Sequence, residues 1–224
     1  MTDDADYRIA IGASVKQRLL ADPRALKLPT DLIDIFVVRQ FLNADECAAL
    51  IDLIDANRVP STLLAPSTDP DYRTSESCNV APWDPVVGQV ENKLTQLLDV
   101  DFELGETIQG QRYAVGQQFK PHHDFFHQGT IYWDEMQRTG GQRTWTAMIF
   151  LNTPDGGGQT NFPEAGIKVS PVAGNLLAWN NLDRFGEPNR KTIHQGLPVT
   201  AGVKYIVTKW HRERPWIPSK LHHY

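Results

Sequence analysis

The 224-residue sequence is poor in cysteine, with only Cys47 and Cys78. Two thiols cannot supply the disulfide framework of a small secreted domain, nor close a zinc site by themselves. Both read as reduced thiols of a cytosolic protein. The chain also lacks an excess of positive charge: 22 Lys and Arg stand against 27 Asp and Glu, for a net charge of −5. Nucleic acid and anionic membranes favour basic faces, so neither is expected as a partner. No apolar stretch reaches the length of a membrane span. The first residues, MTDDADYRIA, lack the basic end and apolar run of a signal peptide. The expected location is therefore cytoplasmic. No internal repeat is present. Gly156 to Gly158 are not followed by Lys-Ser/Thr, so they read as a tight loop rather than a phosphate cradle.

What is present divides into a helical first part and a strand-rich second part. Residues 1–9 read as loose and acidic, and Ile11 to Asp22 has weak helical spacing. Leu32 to Phe41, rich in β-branched and aromatic residues, reads as a strand. Asn43 resembles a helix N-cap, and Ala49, Leu50, Leu53 and Ile54 then share one helical face. Val59 to Trp83 carries prolines, serines and aspartates and reads as a long loop, the kind that serves as a binding loop or lid. Asp84-Pro85 starts a second helix, whose buried stripe is Val86, Val87, Val90, Leu94, Leu97 and Leu98. From about residue 104, short β-like runs alternate with Gly, Pro, Asn and Asp. That texture predicts a sandwich or barrel, and with the preceding helices one α+β domain.

The chemistry centres on FKPHHDFF, Phe119 to Phe126. If this segment is extended, His122 and Asp124 point the same way and His123 points away. A third ligand must come from elsewhere in the fold, and His194 in KTIHQGLPV is the best candidate. Two histidines and one carboxylate on one face form the facial triad of non-haem Fe(II) oxygenases, whose open positions suit a bidentate co-substrate and dioxygen. Lys204 follows His194 by ten residues, across the apparent turn PVTAG. A strand returning beside the first would aim its ammonium into the same cavity, to hold the far carboxylate of a dicarboxylic acid. His127, His211, His222 and His223 read as ordinary polar residues.

In order along the chain stand RTS at 73–75, YAVGQQFKPHHD from Tyr113 to Asp124, FLN at 150–152 and GGGQTNFP from Gly156 to Pro163. VSPVAGNLLAW from Val169 to Trp179 and TIHQGLPVTAGVKYIVTKW from Thr192 to Trp210 complete the set. This ordered set, over residues 34 to 212, resembles the prolyl 4-hydroxylase branch of the Fe(II)/2-oxoglutarate-dependent dioxygenases. The resemblance implies a double-stranded β-helix (jelly-roll) core with supporting N-terminal helices. It implies a dioxygenase domain over 31–215, a partly helical extension over 1–30 and a tail over 216–224. His122, Asp124 and His194 would be the metal ligands. Lys204 and Tyr113 would bind the distal carboxylate of 2-oxoglutarate, and Thr160 would line its pocket. Arg73, on a mobile loop, and Trp210 would lie at the substrate.

The implied cofactors are Fe(II), the co-substrates 2-oxoglutarate and O2, and ascorbate. The implied reaction hydroxylates an unactivated C–H bond, first the 4-position of a peptidyl proline, with succinate and CO2 as co-products. The alternatives are a free amino acid or other small metabolite as substrate, or a non-catalytic metal- and 2-oxoglutarate-binding sensor. The expected partner is thus a protein, a peptide or a small molecule. The segment Phe125 to Gln142 reads as a short helix or lid.

Overall fold

Three helices with short strands between them precede the strand-rich part, and the change falls near residue 104 as the sequence texture predicts. The computed structural model describes residues 3–218. In chain order the first elements are α1 (Asp3–Ala21), β1 (Ala25–Lys27), β2 (Ile35–Val38), α2 (Ala44–Asn57), β3 (Val59–Pro60), β4 (Glu76–Asn79) and α3 (Pro85–Leu98). There follow β5 (Gln109–Tyr113), β6 (Phe119–His122), α4 (Trp133–Arg138), β7 (Arg143–Phe150), β8 (Gly156–Gly157) and β9 (Thr160–Phe162). β10 (Ile167–Val169), β11 (Leu176–Asn180), β12 (His194–Gly196), β13 (Val199–Ala201) and β14 (Lys204–Arg212) complete the fold. His222 and His223, with the end of the expected 216–224 tail, lie outside the described residues.

The strands form an eight-stranded sheet, β1-β2-β11-β7-β14-β5-β4-β3, and a four-stranded sheet, β10-β9-β12-β6, with β13-β8 as a separate pair. This is the expected jelly roll. Strand periodicity sorts the side chains of the large sheet. Along β7, Trp145, Ala147 and Ile149 join the cluster under the helices, while Met148 and Phe150 join the cluster between the sheets. The helical layer presses close: a Cβ at Gly110 would lie 2.4 Å from Ile54, so β5 passes beneath α2 only because that position has no side chain.

Local chemistry explains the helix starts. The Asn43 side chain accepts from the Glu46 N–H, and the Glu46 carboxylate accepts from the Asn43 N–H, a reciprocal capping box. Asp84 caps α3 through the Val86 N–H, with Pro85 in the first turn. Asn43→Ala is expected to cost about 1 kcal/mol, read as a lower urea midpoint with an unchanged m value.

Three expectations need correction. Residues 3–9 are not loose; they belong to α1. Arg8 holds this turn in place by donating to the Gly186 carbonyl at 2.6 Å and to Glu213 at 2.9 Å, contacts that no local pattern announces. The strand expected over Leu32 to Phe41 shortens to Ile35–Val38. Finally, β14 does not return beside β12. β12 pairs with β6 and β9 in the small sheet, β14 pairs with β5 and β7 in the large one, and β13 intervenes. His194 and Lys204 therefore face one cavity from opposite sheets.

Candidate metal centre and co-substrate pocket

His122 ends β6 and His194 begins β12, and the two residues are register partners. The pairing shifts between His194 and Gly196, so a bulge lies beside them. Bulges re-aim side chains in this way. Asp124 follows two residues after His122, as the alternation argument expected. Its Oδ1 lies 3.9 Å from His122 Nε2 and 3.8 Å from His194 Nε2, and the ligand atoms of all three residues lie within 4.8 Å of one another. His123 turns away, its Nε2 against the Arg190 carbonyl at 3.1 Å.

The imidazoles are fixed from behind. His122 Nδ1 lies 2.9 Å from the Lys120 carbonyl and His194 Nδ1 lies 3.0 Å from the Thr192 carbonyl. A carbonyl only accepts, so Nδ1 carries the proton in both rings and each Nε2 lone pair faces the centre. Phe119 stacks on His122 with centroids 3.5 Å apart, and Phe162 stacks on His194 at 5.2 Å. Burial, reinforced by the neighbouring His194, pushes His122 down to about 3, so its ring is neutral at physiological pH. Burial pushes the Asp124 carboxyl up, but His194, His122 and Arg143 outweigh it and hold it below its ordinary range. Two imidazole nitrogens and one carboxylate oxygen are the donor set that suits Fe(II).

The triad opens onto a cavity of about 620 Å³. At its wall, Lys204 is 2% exposed, and among the described residues its ammonium has no hydrogen bond or ion pair. The rings of Tyr113 and Phe150 lie 5.2 and 5.7 Å from Nζ. Burial pushes Lys204 down to about 7. Thr160, 2% exposed on β9, also lines the cavity, and its Oγ1 has no partner among the described residues. A buried cation and an orphaned hydroxyl in one pocket fit an anionic group such as the carboxylate of a dicarboxylic acid.

The other expected residues lie on the same walls. Tyr113 is the register partner of Lys204, and its hydroxyl donates to Gln111 Oε1 at 2.7 Å. Arg73 sits at the foot of the 61–75 loop rather than on its outer part. Its backbone bridges Phe119, and its guanidinium donates to the Thr62 carbonyl at 2.9 Å and to Gln109 Oε1 at 2.8 Å. Trp210 lies over the Arg143 guanidinium, 4.1 Å from ring centroid to Cζ. Its buried Nε1 lies near enough to Asp124 to favour the charged carboxylate, although the geometry of a full hydrogen bond is not met.

Arg143 itself escapes the sequence reading. It donates twice to Glu106 at 2.7 Å and once to the Asp124 carbonyl at 3.3 Å, and it also lies over Phe126. A charged residue opening an otherwise uncharged strand was the available signal. The segment from Phe125 to Gln142 contains the short helix α4 and is closed by Gln142, which bonds the Phe126 N–H and carbonyl.

The 2OG-Fe(II) oxygenase superfamily matches residues 108–212. The chain is 31% identical over 218 residues to prolyl 4-hydroxylase 2 of Arabidopsis thaliana, covering 85% of this chain and 71% of that protein. It is 29% identical over 180 residues to a putative prolyl 4-hydroxylase of Acanthamoeba polyphaga mimivirus, covering 80% and 74%. Of the prolyl 4-hydroxylase subunit alpha-1 of Rattus norvegicus it spans only 28%. Among solved structures, the viral collagen prolyl hydroxylase of Paramecium Bursaria Chlorella virus-1, in its 2OG complex, matches with a TM-score of 0.64 and 27% identity. That match covers 80% of this chain and 95% of the viral one. A β-core that gathers two histidines and an aspartate beside a buried lysine, in a chain so related, belongs to the prolyl 4-hydroxylase branch of the Fe(II)- and 2-oxoglutarate-dependent dioxygenases.

Proposed function

We propose that this protein hydroxylates the 4-position of a peptidyl proline. His122, Asp124 and His194 would hold Fe(II); Lys204, Tyr113 and Thr160 would hold 2-oxoglutarate; Arg73 and Trp210 would flank the substrate. The observation that carries the reading is the pairing of a three-donor cluster with an unpartnered buried ammonium in one cavity. When bound, the iron with 2-oxoglutarate and O2 supplies the oxidation: the oxo-acid becomes succinate and CO2, and one oxygen atom enters the substrate C–H bond.

The chain's own residues prepare that chemistry. Lys204 supplies the charge that orients the dicarboxylate, in a site where burial strengthens every electrostatic contact. The neutral His122 ring keeps its Nε2 lone pair available at physiological pH. Phe119, Phe162 and Trp179 pack against the rings and fix their orientation.

The lining favours a peptide over a free amino acid. Asp124 is the only acidic side chain among the described residues that line the cavity. A free α-ammonium would have no carboxylate to pair with once Asp124 serves the metal, whereas a peptidyl proline carries no such charge. Leu63 to Thr68 and Tyr132 carry the cavity to the surface, where a chain could enter and leave. We assign the catalytic unit to 31–215, with 1–30 as an extension packed upon it through Val15 and Leu19, and 216–224 as a tail. Both cysteines are free thiols, which supports a cytoplasmic location; no helix among the described residues is long and apolar enough to cross a membrane.

Mass spectrometry of proline-containing peptides after incubation with Fe(II), 2-oxoglutarate, ascorbate and O2 tests the reading. A gain of one oxygen on proline, matched by succinate formation, is expected. Succinate with oxygen appearing only on a free amino acid would favour the metabolite reading.

A further inference from the structure

Asp124 presents its two oxygens to different neighbours. Oδ1 faces both histidines, whereas Oδ2 accepts the Thr146 hydroxyl at 2.8 Å. Behind Thr146, Asn181 Nδ2 donates to Thr146 Oγ1 at 2.9 Å, and Asn181 Oδ1 accepts from Trp179 Nε1 at 3.0 Å. Thr146, Asn181 and Trp179 are each no more than 1% exposed. The direction of every bond follows from the last one. An indole N–H can only donate, so the amide must turn its oxygen to Trp179 and its NH2 to Thr146. Thr146 then accepts from Asn181, and its single proton goes to Oδ2 of Asp124.

We propose that Trp179, Asn181 and Thr146 form a one-way hydrogen-bond chain that restricts Asp124 to ligation through Oδ1 alone. This rests on the metal reading above. A carboxylate with both oxygens unengaged can bind a cation through both; with Oδ2 held by a hydroxyl, a coordination position stays open for 2-oxoglutarate or dioxygen. The three are positioning residues, since none is placed as a ligand. Two of them belong to central strands of the large sheet, Thr146 to β7 and Trp179 to β11, and Asn181 directly follows β11. The large sheet thus sets the orientation of a carboxylate that follows a strand of the small one. Trp179 also meets the His194 ring edge-on at 4.9 Å, an aromatic contact that a phenylalanine at this position keeps.

The test uses the full chain, with Mn(II) calorimetry and the visible absorption of the anaerobic Fe(II)/2-oxoglutarate complex as readouts. Thr146→Val keeps the volume and loses the hydroxyl; it is expected to weaken Mn(II) binding by roughly 10- to 100-fold and to shift the band. Thr146→Ser keeps the hydroxyl and is expected to restore both. Trp179→Phe frees the amide to turn and should weaken Mn(II) binding in the parent, but add nothing in the Thr146→Val background. Equal losses in the valine and serine variants, or additive losses in the double variant, would overturn the chain. So would parent-like binding by Thr146→Val or Trp179→Phe. Should the valine variant fail to fold, Trp179→Phe alone and combined with Thr146→Ser decides: the chain requires a loss of Mn(II) affinity in a metal-free protein that still melts cooperatively, and parent-like Mn(II) affinity overturns it. Asp124→Ala separates the two readings. It must lose Mn(II) binding if the metal reading holds, and parent-like binding by it would remove both proposals.

Discussion

Replacing His194 by alanine is expected to eliminate the anaerobic Fe(II)/2-oxoglutarate absorption band and, with it, measurable hydroxylation. Removing a group that merely supports a metal ligand costs roughly 10- to 100-fold in metal affinity or activity, and loss of the ligand itself should exceed the upper end. Neither His123 nor His211 is placed to step in. His123 is engaged with the Arg190 carbonyl. His211 belongs to β14 but alternates away from the pocket-lining Lys204, Ile206, Thr208 and Trp210, and burial, with Lys209 beside it, pushes it down to about 3. The measurement is a spectral titration beside a succinate assay, with circular dichroism to verify folding. A band of parent intensity in the alanine variant would reject the triad.

Lys204 gives the second large effect, and it has two signs. Lys204→Met keeps the length of the side chain and removes its charge. A hydrogen bond to a charged group is worth about 1.5–3 kcal/mol, so 2-oxoglutarate should bind roughly 10- to 150-fold more weakly. The same substitution should stabilise the ligand-free protein, because a buried amine without a counter-charge is replaced by an apolar chain. Thermal melts with and without 2-oxoglutarate would separate these effects.

The pH dependence follows from the same group. In the folded, ligand-free protein Lys204 titrates at about 7 rather than 10.5. Between those values the unfolded chain binds the proton that the folded one has released, so the Lys204 contribution to stability rises with pH from about 7 to 10.5. Below about 7 the burial penalty is fully present. The dicarboxylate needs the charged form, so its affinity should fall above pH 7, by up to about tenfold per pH unit, and the methionine variant should be flat over that window.

The ligand cluster was legible because its residues carry their chemistry in their identity and spacing. His122 and Asp124 sit two apart in an extended segment, and His194 lies in a second β-like run. The helix starts at Asn43 and Asp84 were legible for a similar reason, since capping is local. Relations that depend on the whole fold were not. The apparent PVTAG turn suggested a hairpin joining His194 to Lys204, and nothing in five residues reveals that β13 diverts the chain to another sheet. The first turn of α1 has no apolar periodicity to betray it; Arg8 secures it against residues more than 170 positions away. Thr146 could be read only as a residue suited to a strand, because a threonine's bonding partner is invisible until Asp124 and Asn181 are in place.

The division of labour between the sheets bears on how the molecule breathes. The imidazoles hang from β6 and β12, and the lone ammonium hangs from β14 across the gap. On the proposed reading, a small diacid gripped at both ends would work as a clasp across a seam. With the clasp absent, the two leaves are joined there by side-chain packing and by the hydrogen bonds that Thr146 and Arg143 donate to Asp124; with it closed, any parting of the leaves would also stretch an ionic contact at one end or a coordinate bond at the other.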